Sequence, residues 1–134
     1  MSEHGDVRYP VLRNEVLDAM KNLSDPEYQQ RVWIDRKFPS ANYYDDFDMV
    51  IHILYDDTII AEDACSTIGD ILKNKTEAQV VEVVIQALEE VFDEGSRHAD
   101  FEVLRARPSW PKVIEAAAVA WKAMIADPEQ GTDE

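Results

Sequence analysis

The stretch DDFDMVIHILYDD, residues 45–57, sets an apolar run between clustered aspartates. Taken alone, MVIHIL suits a buried strand as well as a helix. Phe47, Val50, Ile51 and Leu54, however, fall at i, i+3, i+4 and i+7, which is one face of an α-helix. The longer pattern predicts helix. Because the other apolar segments have the same periodicity, it also points to an all-α protein.

Toward the N-terminus, Pro10 suits a first helical turn, and Val11/Leu12, Val16, Met20 and Leu23 follow at helical spacing. Ser24 and Glu27 match a capping box with Pro26 in the first turn. Tyr28, Val32 and Trp33 then face inward until Pro39 stops the segment, although Trp33, beside Arg31 and Arg36, also suits an exposed anchor. Toward the C-terminus, a shorter helix is expected over 62–72 through Ala64, Cys65, Ile68 and Ile71/Leu72. Thr76 and Gln79 form a second capping box. The helix after it runs to about residue 94, with Val80, Val84, Leu88 and Val91/Phe92 as its stripe and Gly95 as its stop. A helical turn over 101–104 leads into RPSWP. A last helix carries Val113, Ile114, Ala117, Trp121, Met124 and Ile125. Glycine is scarce and hairpin dipeptides are missing. The expectation is a single compact domain of five to seven helices over residues 1–126, with an acidic flexible tail over 127–134.

A chain of 134 residues with 46% apolar content suits one globular domain. Its single cysteine, Cys65, excludes an intramolecular disulfide and gives no sign of an oxidising compartment. The opening MSEHGDVRYP has no apolar signal-peptide core, and no apolar run approaches the roughly 20 residues needed to cross a bilayer. These features predict a cytoplasmic protein with no membrane partner.

Twenty-eight acids against thirteen bases give a net charge of −15. That field repels nucleic acid and anionic lipid and favours encounter with cationic partners. It is unevenly distributed. Residues 1–37 hold seven acids and six bases; residues 38–72 hold eight acids and no lysine or arginine; residues 73–96 add six acids against Lys73 and Lys75. A surface shaped for solubility alone mixes the signs. Asp45 and Asp46 lie where a helix N-terminus favours acids, for about 0.3–1 kcal/mol each. Asp56 and Asp57 fall at the opposite, unfavourable end unless they cap the next helix. The charge is better explained as a binding face than as solvated surface. Its expected members are Tyr43, Tyr44, Asp45, Asp46, Asp48, Tyr55, Asp56, Asp57, Glu62 and Asp63.

Catalytic readings are weaker. Asp48, His52 and Asp56 are spaced i, i+4, i+8, the best metal or acid–base candidate, but zinc sites take three or four protein ligands. His52 is read first as a half-exposed residue bonded to its neighbours. Glu90 and Asp93 resemble half of a magnesium-binding acid set, without an upstream ExxE. No HExxH, paired-cysteine or Gly-rich phosphate motif occurs. Cys65, with no base nearby, reads as a core residue rather than a nucleophile. Trp33, Trp110 and Trp121 fit helical core positions. No enzyme, cofactor or metal is expected, and a metal-dependent hydrolase is the remote alternative.

The stretches HGDVRYPVLR (4–13), SDPEYQQRVWIDR (24–36) and NYYDDFDMVIHILYDDT (42–58) resemble an uncharacterised family of small acidic bacterial proteins over about the first half of the chain. The resemblance brings no catalytic residues. In size and charge alone the chain is also similar to immunity proteins that neutralise nuclease toxins, an analogy across many folds. The basic cleft of such a toxin attracts an acidic inhibitor, which then holds by aromatic and charged anchors. The function expected is therefore a cytoplasmic immunity or inhibitor protein covering a basic toxin, with a nuclease as first choice. An acidic interaction or nucleic-acid-mimic module is the alternative.

Overall fold

The computed structural model describes residues 7–96 and 98–126, so the tail expected over 127–134 lies outside the described residues. Seven α-helices follow in chain order: α1 (Pro10–Leu23), α2 (Pro26–Tyr28), α3 (Phe47–Ile51), α4 (Ile60–Asp63), α5 (Lys75–Asp93), α6 (Phe101–Arg105) and α7 (Trp110–Ile125). Two of them widen into π-helix, α2 through Gln29–Ile34 and α3 through His52–Asp57, while α4 tightens into a 3-10 turn over Ala64–Thr67. Among the described residues the β-structure is an isolated bridge between Ile68 and Leu72, and no helix is long and apolar enough to cross a membrane.

Residues 45–57 are helical, so the strand alternative falls. The Asp46 carboxylate caps α3 by accepting the Met49 N–H at 2.9 Å, and Phe47, Val50 and Leu54 enter the core. Beyond Ile51 the helix loosens, and the Thr58 N–H reaches back five residues to the Ile53 carbonyl at 3.2 Å. The Thr58 hydroxyl donates to the same carbonyl at 2.8 Å, so that the Ile53 oxygen accepts two hydrogen bonds where the widened helix ends.

Both expected capping boxes are displaced. Ser24 closes α1, its hydroxyl donating to the Lys21 carbonyl at 2.7 Å, and has helical dihedrals (φ −91°, ψ 0°) that an N-cap does not adopt. Asp25 is extended and accepts the Tyr28 N–H at 3.1 Å. Likewise Asn74, not Thr76, caps α5 by accepting the Glu77 N–H at 2.9 Å. Glu77 in turn accepts the Lys73 N–H at 2.8 Å. The helix that was expected over 62–72 ends at Thr67, because the chain turns through Gly69 at φ +95°. This turn reorients the apolar residues: Ile71 and Leu72 are buried, whereas Ile68 and Cys65 are exposed. Cys65 is therefore not a core residue.

The core lies between α1, α5 and α7, with α7 packed chiefly on α5 and next on α1. On α7 the buried stripe is Trp110, Val113, Ala116, Ala117, Ala120 and Met124, which leaves Trp121 partly covered and Ile125 outside. On α5, Val81 and Ile85 lie inward and Val80 is only partly buried. Trp33 is buried in a ring cluster with Phe47, Phe101 and Trp110, which excludes the exposed-anchor reading.

Of the Val11/Leu12 pair, Val11 is exposed and Leu12 packs half-buried against the core, while Arg13 next to it is 7% exposed. The Arg13 guanidinium meets the Glu77 carboxylate in two parallel bonds of 2.8 and 2.9 Å. It also donates to the Ile71 carbonyl at 3.0 Å and the Met124 carbonyl at 2.9 Å. One side chain thus ties α1 to α5, to the turn before it and to the end of α7.

Candidate functional site

The acidic segment is held from behind by buried and half-buried polar groups. One Asp45 oxygen accepts both the Tyr28 hydroxyl at 2.7 Å and the Trp33 indole N–H at 2.8 Å. Tyr28 and Tyr43 also share a hydrogen bond between their hydroxyls. Burial first, then these bonds and the Asp45 charge, pushes the Tyr28 pKa well above the ordinary phenol value. Asp46 caps α3 and accepts the Tyr44 hydroxyl at 2.5 Å. Asp45 and Asp46 therefore position the segment as well as charging it.

A base that the sequence places outside the acidic run folds onto it. Arg36 has a left-handed backbone (φ 59°). Its guanidinium lies 5.2 Å from the Tyr44 ring centre and 5.5 Å from that of Phe38, and donates to the Tyr44 hydroxyl at 3.3 Å.

The remaining expected residues divide by exposure. Tyr43 and Tyr44 are 37% and 50% exposed, enough ring surface to meet a ligand. Asp48, Asp56, Asp57, Glu62 and Asp63 are exposed. Asp56 pairs with His52 Nδ1 at 2.8 Å, and Asp63 accepts the Ser66 N–H at 3.3 Å. Tyr55 is half-buried, its hydroxyl donating to Glu89 at 2.6 Å and its ring against Phe92, so it props the α3 extension on α5. Among the described residues no three His, Cys, Asp or Glu side chains gather closely enough to hold a metal ion. The His52–Asp56 pair lies along the π-helical turn, while Asp48, exposed in the α-helical turn before it, lines a different depression from His52. Glu90 is engaged with Lys112 at 3.0 Å.

Two depressions flank α3 and its extension. One is a groove of about 380 Å³ between α1 and the acidic segment, where Tyr43, Tyr44, Asp45, Met49 and Asp57 meet Glu15 and Asp18. No lysine or arginine lines it. The other is a cleft of about 610 Å³ that mixes Asp46, Asp48, Asp100 and Glu102 with Arg36 and His98. Asp56, Glu62 and Asp63 line neither. His52, paired with Asp56, also lines the groove. The groove is the candidate site, because it alone of the two joins carboxylates unopposed by lysine or arginine to the exposed rings of Tyr43 and Tyr44. Glu15 and Asp18 were not anticipated. They sit in a nearly neutral part of the sequence, and only their i, i+3 spacing on the face of α1 away from Met20 and Leu23 signals them.

Residues 7–132 match a family described as a domain of unknown function, DUF7945. Neither the curated proteins nor the solved structures contain a match to the chain.

Proposed function

The chain belongs to the DUF7945 family, whose function is unknown, and from that position we propose that it is an immunity or inhibitor protein that covers a basic toxin. The preferred target is a nuclease and the setting the bacterial cytoplasm. One observation carries the reading. Glu15, Asp18, Asp45 and Asp57 rim a groove that no lysine or arginine lines, with Tyr43 and Tyr44 exposed beside them. A net charge of −15 adds long-range attraction toward any cationic surface. Asp48, Asp56, Glu62 and Asp63 extend the acidic face beyond the groove.

Asp45 and Asp46 are unsuitable probes, because each makes bonds that hold the fold. The test is a combined reversal of Glu15, Asp18, Asp56 and Asp57 to lysine. Wild type should retain a basic protein from an extract of its source at about 0.15 M salt and block its nucleolytic activity. The reversed protein should fold, lose retention, and show an association rate at least about tenfold slower. Inhibition that survives the reversal, or a retained protein without nuclease activity, would overturn the reading.

A further inference from the structure

One of these rings, Tyr44, already holds a guanidinium of this chain. Arg36 lies over Tyr44 and Phe38 with its N–H on the Tyr44 hydroxyl, and Arg31 lies 5.7 Å over the ring of Tyr28. Tyr44 therefore takes an arginine by stacking and hydrogen bonding together, and Tyr28 takes one by stacking.

The groove sets the Tyr43 ring beside Tyr44, and no arginine or lysine among the described residues stacks on Tyr43. Its floor is apolar, with Ala19 and Val50 buried and Met49 40% exposed, beside the open edges of Tyr43 and Tyr44. At its rim, Asp45 already accepts two hydrogen bonds. Glu15, Asp18 and Asp57 make no hydrogen bond or ion pair with any other described residue. Three carboxylates unpaired among the described residues, around an apolar, ring-edged floor, suit a cation that is flat and weakly hydrated. Guanidinium is such a cation; ammonium holds its water more strongly and has no plane to stack. A volume of about 380 Å³ admits a long side chain but not a helix, whose diameter is about 10–12 Å.

Resting on the inhibitor reading above, we propose that this groove is the socket for one arginine side chain of the basic protein partner. The guanidinium lies against the Tyr43 ring, beside Tyr44, and the rim carboxylates accept its N–H groups.

The test is an NMR titration of the whole protein at low salt with acetyl-Gly-Arg-Gly-amide and with its lysine and citrulline counterparts. The arginine peptide should shift amides of residues 43–57 and of α1 and bind at least fivefold more tightly than the lysine peptide. The citrulline peptide should leave them unmoved. Replacing Asp18 and Asp57 together by asparagine should weaken arginine binding at least fivefold. Tyr43→Phe should retain it and Tyr43→Leu reduce it, with melting curves confirming that each variant is folded. Equal binding of arginine and lysine overturns the arginine socket while leaving a cation-binding face. Shifts outside the groove, or none, also overturn the socket. The inhibitor reading then stands or falls separately, on retention of the basic protein by wild type and by the fourfold reversal.

Discussion

Arg13 is at a position where a nonpolar side chain would be unremarkable, and it is tolerated there because Glu77 and two carbonyls use most of its donors. A buried pair of this kind adds little net stability over an apolar pair, but removing one partner strands the other charge. Glu77→Ala should therefore destabilise the protein by about 3–5 kcal/mol in urea unfolding. The Arg13→Met/Glu77→Leu double variant should recover most of that loss. The partners are 64 residues apart in sequence, so no spacing rule links them. Tyr28 gives a second expectation. Its pKa is raised in the folded state, so its contribution to stability is complete below the ordinary phenol value of 10.0 and is lost as pH climbs above it. An alkaline titration followed by tyrosinate absorbance should show Tyr28 ionising last, or only as the protein unfolds. Phenylalanine at that position should remove this late step.

Helices were legible here as periods, less so as boundaries. Periodicity reports which residues can share a face, whereas a cap depends on which residue takes an extended backbone. Asn74 and Asp25 hold those positions, and Thr76 and Ser24 do not. Asn74→Ala should lower stability by about 0.5–2 kcal/mol, whereas Thr76→Ala should change it little. Thermal melts of the two variants distinguish the caps. The π-helical extensions left no trace in the apolar pattern. Each rests on a bond five residues long, as from Asp35 to Gln30 at 2.8 Å, and is held by packing that local sequence does not specify. The one after Ile51 reaches the site, since it carries the His52–Asp56 pair, while Asp48 before it lines the larger cleft.

The net charge of −15 acts on the free protein and on its complex with opposite signs. In the free protein, like charges repel, and screening relieves them. Added salt shortens the Debye length from about 30 Å at 0.01 M to about 3 Å at 1 M. The melting temperature should rise across that range, and association with a basic partner should weaken. A melting temperature that falls with salt would mean that attractive pairs dominate the surface. Acid-rich sequence and acid-rich surface are also different things. The run without lysine or arginine over residues 38–72 has Arg36 folded over Tyr44, while Glu15 and Asp18 come to it from α1.

Helix, net charge and the acidic segment were readable from the chain because each is a local or additive property. Apolar spacing within a few turns selects α-helix for residues 45–57 over strand, and charges sum whatever the fold. The site's membership is neither local nor additive. Tertiary packing turned Tyr55 toward Glu89 and committed Asp45 to Tyr28 and Trp33. It also set α1 beside the tyrosines, so that Glu15 and Asp18 surround one groove with Asp45 and Asp57, which are distant from them in sequence. Hydrogen bonds between distant residues and the burial of one helix against another decide which acids are spent inside the fold and which remain for a partner.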